Sequence, residues 1–153
     1  AYFGASGAKY SLTRTHINSC DFSLGQYSYA PVEGDKELAS FSIEEDKDDI
    51  IPMIKDAMAI SKDGFKIISS PWTAPPWMKD NKEWVGGKLL PEYYDTWALF
   101  FSKYIDAYKA EGIEIDKRKI EIIDDIKEVG VFKIKVKLHP EVSTEAKVWV
   151  VKE

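Results

Sequence analysis

Apolar residues recur along the middle of the chain at steps of three and four, the spacing of one helix face. The first such stripe consists of Ile50, Ile51, Ile54, Ala57 and Met58. It predicts an amphipathic helix that ends at Asp63-Gly64. Ser42 and Glu45 precede it with the spacing of a capping box. Pro52 predicts a kink in this helix or a restart within it, because proline lacks the N–H that a helix needs.

A second stripe, rich in aromatic residues, follows Pro91. It consists of Tyr94, Trp97, Ala98, Phe101, Tyr104, Ile105 and Tyr108. Gly112 stands where a left-handed C-terminal cap would end such a helix. So many aromatic side chains on one face predict a helix that packs into the core rather than a surface that binds a ligand.

Short apolar runs around these helices predict two strands, at residues 14–18 and at residues 65–70. Residues 24–35 hold glycines and a proline among tyrosines, and they predict a long surface loop of the kind that often carries function. The order strand, helix, strand, helix implies parallel strands with helices packed outside them. Residues 1–110 are therefore predicted to form an α/β domain.

After the second helix the apolar pattern changes from helical spacing to alternation. Apolar residues and lysines alternate at residues 132–138, and apolar residues alternate again at residues 146–150. A turn at residues 139–141 would join the two runs into an antiparallel hairpin. With a short helical turn at residues 124–130, this pattern predicts a small α+β domain over residues 111–153.

Composition excludes several classes of protein. The chain has 153 residues, of which 44% are hydrophobic and 31% are charged, values typical of a globular protein with one domain or two small ones. A net charge of −5 argues against a nucleic-acid partner for the whole chain, although not for a local patch. The acidic residues at positions 44–49 are interpreted as a solvated helix start, where they complement the helix dipole.

The sequence also argues against a disulfide, a metal site, a membrane span and a signal peptide. One cysteine, Cys20, rules out an internal disulfide, and the distant His16 and His139 give no metal-ligand spacing, so no metal or cofactor is predicted. No apolar run approaches the ~20 residues of a membrane span. Residues 1–10 lack the order of a signal peptide, and the missing initial Met suggests a fragment or a processed product. Compartment and oligomeric state stay undetermined.

One loop has the composition of a binding site. Pro71, Pro75 and Pro76 fix the backbone just after the strand predicted at residues 65–70. Trp72 then stands at the carboxyl end of that strand, where α/β folds place ligand sites, and its flat indole suits the apolar face of a sugar ring. The alternative, that Trp72 and Trp77 only cap the core, fits the residues equally well.

Two further groups of polar residues allow more than one interpretation. Arg14 and Asp21 lie near the end of the first strand, where they would form a buried salt bridge or bind the hydroxyls of a ligand. Cations also cluster in the tail, at Lys117, Arg118, Lys119, Lys133, Lys135 and Lys137. These cations would contact the phosphates of a nucleic acid or, as the pattern favours, keep an exposed sheet face soluble.

Several of these motifs together resemble a known family. Residues 14–23 read Arg-Thr-His-Ile-Asn-Ser-Cys-Asp-Phe-Ser, and residues 70–79 read Ser-Pro-Trp-Thr-Ala-Pro-Pro-Trp-Met-Lys. With Phe-Ser-Ile-Glu at residues 41–44, Ile-Pro at residues 51–52 and the aromatic helix, they resemble glycoside hydrolase family 30, the glucosylceramidase group. The resemblance extends from about residue 8 to residue 112.

The resemblance implies a partial TIM barrel whose family cleaves β-glycosides with retention, using one glutamate as acid/base and another as nucleophile. It implies a sugar subsite at Arg14, Asp21 and Trp72, leaves Trp77 as packing, and makes a β-glucoside or the sugar of a glycolipid the expected ligand. The family carries its acid/base in an Asn-Glu-Pro, which occurs nowhere in these residues. Neither glutamate has a counterpart, so no catalytic residue is assigned and an inactive fragment is expected.

The tail resembles a different family. Residues 112–120, 136–142 and 146–151 are similar to the C-terminal domain of the ninth protein of the bacterial large ribosomal subunit, with Lys-Leu-His-Pro-Glu-Val at residues 137–142 the most specific part. This resemblance implies ribosomal RNA as a partner of the tail.

The chain thus resembles a chimera of two unrelated pieces. A chimera without function is the further alternative, since a partial barrel leaves open strand edges unless the tail pairs with residues 65–70.

Overall fold

The computed structural model describes residues 1–114, 120–122, 130–139 and 142–150. The chain divides into two compact units, Ala1–Glu114 and Ile115–Glu153. The described helices of the first unit are too short or too polar to span a membrane.

The first unit is built from two strands and two helices in alternation. Strand β1 (Leu12–Ile17) is followed by helix α1 (Ile50–Ile60), strand β2 (Lys66–Pro71) and helix α2 (Tyr94–Ala110). The two strands pair in parallel over their whole length, from Leu12 opposite Lys66 to Ile17 opposite Pro71. The predicted α/β order and parallel pairing are therefore confirmed for this unit.

Helix α1 begins later than the capping-box spacing predicts. A separate 3-10 helix spans Glu44–Lys47, and the Ser42 hydroxyl accepts a hydrogen bond from the backbone N–H of Glu44 at 3.2 Å. The N-cap of α1 is Asp49, whose carboxylate accepts from the N–H of Ile50 at 2.5 Å. The predicted capping box is thus wrong. Helix α1 begins two residues before Pro52 and continues through it, so Pro52 lies in the first turn, where its missing N–H costs little.

The buried face of α2 is rotated from the predicted aromatic stripe. Its buried residues follow steps of four, at Thr96, Phe100, Tyr104 and Tyr108. Tyr94, predicted to be on the stripe, is 57% exposed. The buried face is set by Tyr29, which stacks on the rings of Phe100 and Tyr104 at centroid distances of 5.9 and 6.0 Å. Because this residue comes from the predicted surface loop, that loop supplies part of the core and is not wholly on the surface.

The end of α2 follows the predicted cap. Gly112 has φ +82°, and its N–H donates to the carbonyl of Lys109 at 3.0 Å. The next N–H, that of Ile113, donates to the carbonyl of Tyr108 at 3.0 Å. These two bonds form a Schellman motif, which needs the left-handed backbone that glycine adopts without strain.

The second unit contains an antiparallel sheet in the order β3 (Ile120–Ile122), β4 (Gly130–His139) and β5 (Val142–Val150). Strands β4 and β5 pair from Gly130 opposite Val150 to His139 opposite Val142, with a shift in register between Lys137 and His139. Among the described residues, β2 has β1 as its strand partner, and the tail strands form a separate sheet.

Candidate functional site

The loops that follow β1 and β2 leave the sheet at the same edge, because parallel strands end on the same side. Asn18, directly after β1, ties them together from a fully buried position with φ +62°. Its side-chain oxygen accepts from the N–H of Tyr29 at 3.0 Å, and its amide nitrogen donates to the carbonyl of Thr73 at 3.5 Å. Asparagine tolerates this left-handed backbone, so one side chain positions both loops.

Trp72 emerges at this edge directly after β2 and is 42% exposed. The guanidinium carbon of Arg14 lies 4.5 Å from the centroid of its indole ring, a cation–π contact. Arg14 is itself held by Ser70, whose hydroxyl accepts from the Arg14 Nε at 2.9 Å. The interpretation of Trp72 as a core cap is therefore wrong, and the indole is instead an exposed surface fixed from one side by a cation.

Trp77 has the packing role expected for it. Its side chain is only 7% exposed, and its indole N–H donates to the carbonyl of Ala30 at 2.8 Å. Its ring meets that of Tyr93 edge-on at a centroid distance of 5.0 Å. These contacts join the proline-rich loop to the core.

Trp72 borders two cavities. Cavity A, of about 640 Å³, is lined by residues that include Arg14, His16 and Tyr27. Cavity B, of about 660 Å³, is lined by residues that include Asp21 and Lys79. Three residues line both cavities and so form the wall between them: Cys20, Gln26 and Trp72.

The predicted site residues meet at this wall, although not as a buried pair. Arg14 lines cavity A, Asp21 lines cavity B, and Trp72 lines both. Both Arg14 and Asp21 are exposed, and no ion pair joins them in the part of the chain that the structure describes. Arg14 pairs in register with Ile68 on β2, and its side chain reaches the Ser70 hydroxyl, whereas Asp21 lies in the turn beyond β1.

Cavity B contains a buried lysine that the sequence analysis did not single out. Lys79 is 3% exposed, and its ammonium donates to the Thr73 hydroxyl at 2.8 Å and to the Gly86 carbonyl at 2.9 Å. Burial lowers the pKa of Lys79, against the charges of Asp80 and Glu83, which raise it. The burial of Lys79 could have been suspected from its place in the sequence, directly after the apolar residues Trp77 and Met78, which are both buried.

A second buried charge lies in the core and not at the site. Asp46 is fully buried, and its carboxylate accepts hydrogen bonds from the hydroxyls of Tyr27 at 3.1 Å and of Tyr29 and Tyr108 at 2.5 Å each. The interpretation of residues 44–49 as a solvated helix start is therefore wrong at Asp46. A 3-10 helix has three residues per turn, so Asp46 lies on the same buried side as Ile43 while Glu44 and Glu45 are exposed.

No group of three or more His, Cys, Asp or Glu side chains within residues 1–114 is arranged to hold a metal ion. Of the six cations predicted to contact RNA, Lys117, Arg118 and Lys119 lie outside the described residues. Lys133, Lys135 and Lys137 lie at alternate positions of β4.

Comparison with known proteins places the larger part of the chain in a family. Residues 1–120 match the glycosyl hydrolase family 30 TIM-barrel domain. The chain belongs to glycosyl hydrolase family 30. Among its relatives, the lysosomal acid glucosylceramidase of Mus musculus is 38% identical over 119 residues, which cover 74% of this chain and 23% of that enzyme.

Solved structures give the same assignment. SrfJ from Salmonella typhimurium superposes with a TM-score of 0.69 at 37% identity, over 74% of this chain and 26% of SrfJ. An endo-β1,6-glucanase superposes with a TM-score of 0.66 at 39% identity, also over 74% of this chain and 26% of its own. The chain thus spans about a quarter of the length of the family 30 proteins that it matches.

The tail matches a second family, as the resemblance implied. Residues 102–152 match the C-terminal domain of ribosomal protein L9. The large ribosomal subunit protein bL9 of Gemmatimonas aurantiaca is 47% identical over 45 residues, which cover 29% of this chain and 31% of that protein. The two family matches overlap at the end of α2, where the chain passes from one to the other.

Proposed function

We propose that the first unit binds a β-linked glucosyl unit at the wall between the cavities, with Trp72, Arg14 and Asp21 as the contacting residues. The observation that carries this proposal is the exposed Trp72 indole held by the Arg14 guanidinium 4.5 Å away. An indole fixed in this way offers an apolar surface at little entropic cost, and the C–H groups of a pyranose ring form a matching surface. Relatives named as a glucosylceramidase and a β1,6-glucanase support a β-glucoside as ligand.

Arg14 and Asp21 supply complementary hydrogen bonds around that indole. The guanidinium uses Nε on Ser70 and keeps its Nη hydrogens, which donate to sugar oxygens. The Asp21 carboxylate lines cavity B and accepts from sugar hydroxyls. A donor and an acceptor together fix the orientation of a neutral polyol better than either would alone.

We further propose that the 153-residue polypeptide binds the sugar without cleaving it. Retaining glycosidases need two carboxyls ~5–5.5 Å apart. The family motif Asn-Glu-Pro does not occur in these residues, and the segment after Gly112 matches the ribosomal family where the next barrel strand is expected. Binding groups from one part of a barrel, without the acid/base and the nucleophile, support recognition alone.

A titration with methyl β-D-glucoside, followed by calorimetry, tests this function. We expect wild-type protein to bind, and both Arg14→Ala and Trp72→Ala to weaken affinity at least tenfold, which corresponds to about 1.4 kcal/mol. A chromogenic β-glucoside should show no turnover above the uncatalysed rate.

Two control substitutions match the charge and the ring that these variants remove. Lys62→Ala removes an exposed cation and Tyr94→Ala removes an exposed ring. Neither residue lines either cavity, and we expect wild-type affinity from each variant. Equal affinity in wild type and Arg14→Ala would overturn the proposed site. Turnover that disappears in Arg14→Ala would overturn the proposal of binding without cleavage.

A second candidate function belongs to the tail, on the strength of its match to a ribosomal protein domain. We propose that residues 111–153 contact ribosomal RNA through Lys117, Arg118, Lys119, Lys133, Lys135 and Lys137, and that residues 1–110 form the separate sugar-binding domain. Lysine contacts to phosphate release counterions, so binding weakens as salt rises.

A titration of labelled ribosomal RNA at two salt concentrations tests this second function. We expect the triple change of Lys133, Lys135 and Lys137 to Gln to weaken binding and to reduce the salt slope by about 2 to 3, since each phosphate that is no longer neutralised lowers the slope by about one. The same change at Lys9, Lys62 and Lys109, exposed lysines of the first unit, should leave the slope as in wild type. Binding that does not respond to salt would exclude this function.

A further inference from the structure

Cavity B is larger and more aromatic than a single glucosyl unit at Trp72 requires. Besides Trp72, its lining holds the indoles of Trp84 and Trp97, both half-buried. Its volume of about 660 Å³ lies within the roughly 300–1,000 Å³ that ligand pockets occupy. A ring at the Trp72 wall therefore leaves further space in cavity B, bordered by two more aromatic surfaces.

Lys79 gives this space an unused hydrogen-bond donor. An ammonium has three N–H groups, and here two of them donate to the neutral oxygens of Thr73 and Gly86. No carboxylate lies within ion-pair distance of Lys79 in residues 1–114, although the residue is only 3% exposed. A buried charge with an unused donor is costly, and a ligand oxygen in cavity B would relieve that cost.

The charges of the cavity indicate a neutral ligand. Asp21 lines cavity B together with Lys79, so an anionic ligand attracted by the ammonium would also be repelled by the carboxylate. A neutral polyol satisfies both groups, because a hydroxyl accepts from Lys79 and donates to Asp21. Aromatic walls with a few polar groups of both kinds are the surroundings that suit a pyranose ring.

We propose that cavity B is a second sugar-ring subsite, in which Trp84 and Trp97 contact the ring and Lys79 donates to one of its oxygens. The preferred ligand of the chain is then a β-linked glucose oligosaccharide of two or more rings. The inference rests on the proposed function, since it places the first ring at Trp72 and the second beyond it in cavity B.

Calorimetric titrations with methyl β-D-glucoside and with the β1,6-linked glucose disaccharide compare one ring with two. We expect wild-type protein to bind the disaccharide at least tenfold more tightly than the monosaccharide. Trp84→Ala should bring the ratio of the two affinities close to one, because it removes an aromatic wall of cavity B. Lys79→Met should lower the ratio in the same direction by removing the donor while keeping most of the side-chain volume.

Lys79→Met and Trp84→Ala differ in how far they are expected to disturb the fold. Lys79 anchors Thr73 and Gly86, so its replacement can perturb the loop, whereas Trp84 is half-buried and forms one edge of the cavity. Tyr94→Ala, an exposed aromatic residue outside both cavities, serves as the matched control and should keep the wild-type ratio.

The outcomes separate the two proposals. Equal affinity for one and two rings in wild type, or an unchanged ratio in Trp84→Ala, overturns the second subsite and leaves the glucosyl site at Trp72 standing. Binding of neither sugar overturns both. Monosaccharide binding that is unaffected by Arg14→Ala overturns the first site, whatever the ratio in Trp84→Ala.

Discussion

Replacement of Asp46 with alanine should lower the free energy of unfolding by about 4 kcal/mol, the largest effect expected from a single change in the first unit. The Asp46 carboxylate is fully buried and accepts hydrogen bonds from three tyrosine hydroxyls. Its removal leaves those hydroxyls without their acceptor in the core, and each broken bond to a charged group costs about 1.5–3 kcal/mol. The variant also no longer bears the cost of burying the carboxylate, which offsets part of the sum. Urea unfolding followed by circular dichroism measures the loss.

Asp56→Ala is the matched control, because it removes a carboxylate that is exposed on α1. We expect this variant to differ from wild type by no more than about 0.5 kcal/mol, as is usual for surface changes. Asp46→Asn should fall between the two, since its amide oxygen still accepts from the tyrosines. If Asp46→Ala unfolds at the same urea concentration as Asp56→Ala, the tyrosine cluster does not stabilise the core.

Alkali should unfold the first unit cooperatively above pH 10, because the tyrosines around Asp46 resist ionisation in the folded state. Burial, reinforced by the neighbouring charge of Asp46, raises the pKa of Tyr29 and of Tyr108 well above the ordinary value of 10.0. Burial also raises the pKa of Tyr104 to about 12, against hydrogen bonds with Ser69 and Tyr108 that lower it.

The sign of the effect follows from proton binding. Above pH 10 the unfolded tyrosines lose protons that the folded ones keep, so stability present below pH 10 is lost as the pH rises. Each such tyrosine contributes about 1.4 kcal/mol per pH unit, so Tyr29 and Tyr108 together contribute about 2.8 kcal/mol per pH unit, and Tyr104 adds about 1.4 kcal/mol per pH unit up to about pH 12. Urea unfolding measured at a series of pH values from 9 upwards, where pH 9 is about one unit below the tyrosine pKa, gives this slope.

Tyr108→Phe tests the assignment of that slope. We expect the variant to be less stable at neutral pH, because it cannot form the hydrogen bond to Asp46, yet to lose stability less steeply above pH 10. Tyr94→Phe changes an exposed tyrosine outside the cluster and should keep the wild-type slope. A slope that is the same in Tyr108→Phe and in wild type would show that alkaline unfolding has another origin.

Local sequence patterns determined the elements of the first unit and the order in which they occur. The apolar run at residues 65–70 and the glycine at position 112 predict β2 and the end of α2 correctly, because strand periodicity and a left-handed cap depend on near neighbours. The proline-locked loop likewise placed Trp72 at a strand end. The motifs in residues 14–23 and 70–79 were sufficient to indicate the family, which the match over residues 1–120 then showed.

Only the tertiary structure decided which of the polar residues are buried and which side chains share a cavity. Asp46 and Lys79 look like ordinary surface charges in the sequence. Asp46 is buried among tyrosines from distant parts of the chain, and Lys79 is buried where the loops on either side of it fold back onto its ammonium group. Arg14 and Asp21, for which the sequence allowed either a buried salt bridge or contact with a ligand, are exposed and line two different cavities that share Trp72. The physical reason is that periodicity reports the face of an element, whereas burial and charge pairing depend on what packs against that face from elsewhere in the fold.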